Sequence, residues 1–263
     1  MGGAAIAVTL NRDMRTSSVT RAARSLGRTT SDFIAFLRRP TAETVKGLPF
    51  RDKAGIGIWL FILSIVVTTI FGVLALPVIL WTDLTFGEQL DEALGGSVWS
   101  VVLSVVMLGP LVEEIIFRGW LSGTWRAVLA TMLGLVVIYG GSAILDAYFA
   151  QSSAIKPLVL AVGAAVIFFL FSPLDDARRI AGFDRVFPVM FYAQAVTFGT
   201  LHFQNYAASS PAVALFATLP LIACGLIWGY ARVRLGFASA VFLHAAYNVP
   251  AAFGSVILAY SAG

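Results

Sequence analysis

The chain is 263 residues long, 59% hydrophobic and only 12% charged, with a mean hydropathy of +0.87 and a formal net charge of +4. So apolar a composition excludes an ordinary soluble domain, and basic residues without a folded scaffold around them exclude a nucleic-acid role. The one cysteine, Cys224, excludes an intrachain disulfide and, lying in an apolar segment, reads as helix packing.

Residues 1–56 hold ten of the eighteen basic residues, against four acids. The positive-inside bias places this segment in the cytoplasm. Its apolar stretch around Ala4 to Val8 is short and runs into basic sequence, so no signal peptide is read; Ile6 stands where myristoylation of Gly2 would want Ser or Thr. Ser31-Asp32 ahead of Phe33, Ile34, Phe36 and Leu37, closed by Arg38-Arg39-Pro40, predicts a short capped helix on anionic headgroups, with a solvated basic tail as the alternative.

Residues 57–263 read as one all-α, polytopic transmembrane helix bundle of about seven spans. The spans fall near 57–80, 97–121, 127–149, 157–173, 187–206, 211–230 and 236–260. An acidic loop with Asp83, Glu88, Asp91 and Glu92 suits the outer side. A mixed-charge turn with Asp175, Asp176, Arg178, Arg179, Asp184 and Arg185 suits the inner side, as do Arg232 and Arg234. The expected location is the inner (plasma) membrane, with lipids as the surrounding partner.

The second span carries Glu113, Glu114 and Arg118 in the run LGPLVEEIIFRGWL, where each ionisable group is costly and needs a reason. Glu114 and Arg118 are four apart and can pair on one helix face. Glu113 points about 100° away and is free for chemistry. Pro110 suits a helix start. Both of the chain's histidines are also in apolar spans, His202 in TFGTLHFQN and His244 in VFLHAAYNV. Asn248 stacks one turn after His244, and Phe198 stacks one turn before His202 as an aromatic wall. A carboxylate, two imidazoles and an amide from three helices can activate water and hold an oxyanion. Chemical type divides the labour: Glu113 is the general base, His202 orients the water, and His244 and Asn248 are oxyanion donors. Glu114 with Arg118 is structural.

EEIIFR at 113–118, FGTLH at 198–202 and HAAYN at 244–248 resemble, in order, the EExxxR, FxxxH and HxxxN motifs of the CPBP intramembrane proteases. That family includes CAAX prenyl endopeptidases and bacteriocin-immunity relatives. The resemblance covers roughly residues 98–250. It implies a multi-helix membrane endopeptidase with a cavity open to the cytoplasm and a peptide or protein substrate at the membrane, lipidated in the CAAX case. It also implies that Glu113 and His202 activate water while His244 and Asn248 form the oxyanion hole. The family is often described as metallo-type, and zinc could be held by Glu113, His202 and His244, with Glu114 a further ligand by type. Ligands scattered over three helices make a weak zinc signature, so the favoured reading requires no cofactor. The alternatives are a non-proteolytic immunity or partner-binding protein of the same fold and, further off, a proton-coupled transporter, which the absence of repeat symmetry disfavours.

Overall fold

The computed structural model describes residues 27–43, 47–82, 84–86, 98–148, 155–171, 179–207 and 210–261. The basic residues before 27, Lys46, the acidic loop with Asp83, Glu88, Asp91 and Glu92, and Asp175, Asp176 and Arg178 lie outside them.

Apolar runs of this length cannot leave backbone N–H and C=O groups unpaired in lipid, and helices satisfy them locally. The described chain is accordingly almost all helix. Helix α1 covers 27–38. Helix α2 is Phe50–Trp81, and α3 joins Val98–Val101, a π-helical stretch Val102–Leu108, and Gly109–Arg118. A 3₁₀ turn, Gly119–Ser122, leads to α4, which runs Trp125–Leu135, π-helical Val136–Gly140 and Gly141–Tyr148. Next come α5 (Ile155–Phe171), α6 (Phe183–Leu201) with a 3₁₀ turn His202–Asn205, α7 (Pro211–Ala217), α8 (Leu219–Arg234) and α9 (Phe237–Ser261). Two short strands, β1 (Thr85–Phe86) and β2 (Tyr206–Ala207), pair antiparallel with Thr85 opposite Ala207.

The apolar stretches read as spans are mostly helical over their described residues, but the fifth ends in β2 at Tyr206 and the sixth is broken at Thr218 into α7 and α8. Among the described residues four segments are long and apolar enough to cross a membrane: Phe50–Trp81, Trp125–Ile144, Phe183–Asn205 and Pro211–Arg234. Their outward faces are apolar too. Helix α2 buries only Leu60 and Ser64 while Ile58, Val66, Ile70 and Leu74 stay exposed, as a lipid-facing span requires.

The bundle has two distinct ends. One gathers α1, the start of α2, the Gly119–Ser122 turn, the start of α6 and the close of α8. The Thr124–Arg179 bridge and the bonds from Arg232 to the carbonyls of Arg118 and Gly119 tie that end together. The other end holds the β1–β2 pair after α2 and α6. Gly123, at φ 69, makes the sharp turn after α3. A Cβ there would also sit 2.2 Å from a Phe183 ring carbon, so only glycine serves.

Three boundaries differ from expectation. Helix α2 begins at Phe50 rather than at 57. Helix α1 begins well before Ser31, so Ser31 and Asp32 lie on its exposed side instead of capping it. Thr29, Phe33 and Phe36 form an i, i+4, i+7 face that is buried against the bundle, and this tertiary packing extends the helix past the local stop signal. Pro110 does stand in the first turn of the α-helical segment Gly109–Arg118, but that segment continues without a break from the π-helical stretch before it. The π-helical turns before it widen the register where the proline would break an α-helical one.

Candidate active site

Helix α3 delivers two carboxylates in succession, and their separate directions separate their partners. Glu114 is fully buried and ion-pairs with Arg118 one turn on, itself fully buried. A charge pair at zero exposure persists only with further hydrogen bonds, and both members have them. The Arg118 Nε donates to Gln194 Oε1 at 3.0 Å, and His244 Nδ1 lies 3.0 Å from Glu114 Oε1. The Gln194 amide in turn donates to the Gly225 carbonyl at 3.2 Å. Glu113 is outside this chain of contacts, with its side chain 30% exposed.

Around Glu113 Oε2 the two histidines converge. His202 Nε2 is 3.7 Å from it, and His244 Nε2 is also 3.7 Å from it. Each ring is anchored through its other nitrogen. His202 Nδ1 lies 2.7 Å from the Phe198 carbonyl, which can only accept, so Nδ1 carries the proton there. His244 Nδ1 faces the carboxylate that Arg118 already pairs, so it too carries a proton. Second contacts of this kind fix a histidine's tautomer and its ring plane.

Aromatic walls hold the rings in place. Trp228 stacks on His244 with centroids 4.0 Å apart. Phe198 stands edge-on to His244 at 5.6 Å and 4.7 Å from His202, with the Arg118 guanidinium 4.3 Å over its own ring. Phe198 thus touches both imidazoles and the guanidinium at once.

Of the residues singled out from sequence, Glu113, His202 and His244 meet at one point, and Glu114, Arg118 and Phe198 pack directly behind them. Asn248 is one turn below His244, and its Nδ2 donates to the Val105 carbonyl of the π-helical stretch at 2.9 Å. That bond uses one of the two amide protons. Among the described residues no three His, Cys, Asp or Glu side chains are grouped closely enough to hold a metal ion.

Three contributors were not anticipated: Gln194, Trp228 and Arg232. Gln194 had a readable signal, because it is a lone amide in an apolar span, about two turns before His202. Arg232 had been read only as an inner-side charge. It caps the carbonyl end of α3 at 3.0 Å and 3.3 Å, and nothing in local sequence connects it to that helix.

No curated protein and no solved structure matches the chain. The family model Type II CAAX prenyl endopeptidase Rce1-like, however, matches residues 95–250, more than half of the chain and the whole of the constellation from Glu113 to Asn248. The chain belongs to this Rce1-like family of membrane-embedded CAAX endopeptidases.

Proposed function

We propose that the chain is an intramembrane endopeptidase that hydrolyses a peptide bond of a membrane-associated substrate, a lipidated CAAX-type protein or peptide, with water activated by Glu113. The observation that carries this reading is the equal 3.7 Å separation of Glu113 Oε2 from His202 Nε2 and His244 Nε2. That gap is too long for a direct hydrogen bond and suits a bridging water.

The step follows from the donors and acceptors. Water gives one proton to the Glu113 carboxylate and its other hydrogen bond to the unprotonated Nε2 of His202. Its oxygen attacks the scissile carbonyl carbon, and the C=O π electrons move onto the oxygen. The resulting oxyanion is met by Nε2–H of His244 and by the second amide proton of Asn248. To donate at Nε2 while Nδ1–H is bound to Glu114, the His244 ring carries both protons, with the nearby Glu113 carboxylate as the balancing charge. Collapse of the intermediate breaks the C–N bond, and Glu113 returns its proton to the departing amine. Arg118 and Glu114 neutralise each other, so the second cation, His244, is matched by the Glu113 carboxylate before the attack and by the oxyanion after it.

The reading includes the topology: seven spans, a cytoplasmic N-terminus, and a site near the inner leaflet of the plasma membrane. The clustering of Arg179, Arg185, Arg232 and Arg234 at the end that receives α1 supports that orientation.

The test uses purified full-length protein in lipid nanodiscs and a quenched fluorescent peptide ending in a farnesylated CAAX sequence. Glu113→Gln is expected to lower kcat by about 10²- to 10⁴-fold, the range of a general base, at unchanged thermal stability. Equal cleavage by wild type and Glu113→Gln would sink the reading. Hydrolysis is also expected to survive a zinc chelator. A loss that added zinc reverses would overturn the metal-free step.

A further inference from the structure

We infer that Gln194 is a positioning residue of this site: it sets the Arg118 guanidinium and, through Glu114, the ring of His244. The inference rests on the hydrolase reading above. Gln194 touches neither imidazole nor Glu113 by any hydrogen bond, so it acts only through the intervening groups.

An amide in an apolar span is expensive unless every polar atom has a partner. Gln194 is 3% exposed, and both of its polar atoms are engaged, Oε1 by Arg118 Nε and Nε2 by the Gly225 carbonyl. Helix α8 makes room for it. A Cβ on Gly229 would lie 2.6 Å from Gln194 Nε2, and a Cβ on Gly225 would lie 3.0 Å from the neighbouring Ala195 Cα. Two glycines one turn apart therefore open the slot that the amide fills.

Arg118 depends on this contact. Among the described residues its NH2 has no hydrogen-bond partner, so its orientation rests on Glu114 through NH1 and on Gln194 through Nε. The same Glu114 oxygen that receives Arg118 also faces His244 Nδ1. A guanidinium released by loss of Gln194 can swing over the Phe198 ring, which it already overlies at 4.3 Å, and draw that oxygen away from the imidazole. His202 opens the 3₁₀ turn into which α6 runs, eight residues after Gln194, so one continuous helical segment carries the water-orienting ring and, by this relay, sets the opposite one.

The chain has only two histidines, which makes the relay directly observable. Full-length protein in nanodiscs, labelled with ¹⁵N in the imidazoles, yields two ring systems, assigned by His202→Gln and His244→Gln. Gln194→Met keeps the volume and removes both hydrogen bonds. It is expected to displace the His244 resonances and leave those of His202 in place. With the farnesylated peptide, kcat is expected to fall about 10- to 100-fold at unchanged KM, the cost of a misplaced catalytic group. Gln194→Glu keeps the acceptor for Arg118 and gives up only the donor to Gly225. It is expected to retain the His244 signals and most of the rate. Wild-type His244 signals and kcat in Gln194→Met would overturn the inference, as would equal displacement of both rings, which marks simple loosening of α6 from α8. If Gln194→Met does not fold, displaced His244 signals in Gln194→Glu overturn it. Should Glu113→Gln cleave the peptide like wild type, the role given to Glu113 fails alone, and the imidazole spectra still decide the role of Gln194.

Discussion

Val105 carries a carbonyl that its own helix cannot satisfy. In an α-helical register it would accept from Gly109, but the Gly109 N–H goes five residues back to Ser104 O. In the π-helical register it would accept from residue 110, which is proline and has no N–H. Asn248 Nδ2 fills the position at 2.9 Å. The amide therefore does structural work beside the oxyanion role proposed for its second proton. Asn248→Leu is expected to cost about 1–3 kcal/mol, the penalty for a buried acceptor left bare. Pro110→Ala supplies an N–H at the right distance along the helix, so adding it to Asn248→Leu is expected to recover part of that loss. Thermal melts of the two single variants and the double variant form the cycle, and purely additive costs would refute the pairing. Pro110 starts the α-helical segment as its sequence suggests, but not the helix that runs into it. Its local preference is readable from sequence, but the register of the turn before it depends on a residue 138 positions later.

Helices α6 and α8 are held closer than ordinary side chains would permit, and glycines set the distance. A Cβ on Gly199 would stand 2.2 Å from Ile222 Cγ1 and 2.7 Å from the Ile222 backbone nitrogen, which cannot move aside without shifting α8. In lipid, where no hydrophobic force pushes helices together, such small-residue contacts set which faces meet. Gly199→Ala is expected to destabilise the fold by about 1–3 kcal/mol and to lower the hydrolysis rate, since Phe198 and His202 flank it. Gly72→Ala on α2, with nothing within 4 Å of the new Cβ, is expected to leave both unchanged. Equal melting temperatures for the two variants would remove the glycine argument. This level is only half readable from sequence. Hydropathy located the long apolar helices, and the polar groups within apolar runs pointed to Glu113, His202 and His244, which the fold brings together. Which face of each helix turns inward was hidden, because the outer faces of α2 and α6 are as apolar as their inner ones. The spacing of Gly225 and Gly229, and the lone amide of Gln194, were the signals present.

At the scale of the whole molecule, the N-terminal strap follows the bundle's own polarity. Phe33 and Phe36 enter between α6 and α8, with Phe36 edge-on to Phe191 at 4.9 Å and to Tyr230 at 5.1 Å. The Arg234 guanidinium lies 5.1 Å from the Phe36 ring and donates to the Glu43 carbonyl, Arg179 donates to the Ala42 carbonyl, and the Tyr192 hydroxyl donates to the Leu37 carbonyl. Phe36→Ala is therefore expected to cost about 3–5 kcal/mol, as for a core aromatic, rather than the small amount expected of a loose tail; melting curves of the variant measure it. These same contacts put α1 at the end of the bundle where α6 begins, opposite the β1–β2 pair at Ala207 where that segment ends. Cys224 is fully buried, so the native chain is expected to resist a membrane-impermeant maleimide and to serve as its own blank. Against that blank, Ser31→Cys and Arg185→Cys are expected to react in inside-out vesicles and Ala207→Cys in right-side-out ones. Ser31→Cys and Ala207→Cys reacting from the same side would contradict the bundle's polarity. The expected pattern with its sides exchanged would leave the fold standing and invert the proposed orientation, moving the glutamate site to the outer leaflet.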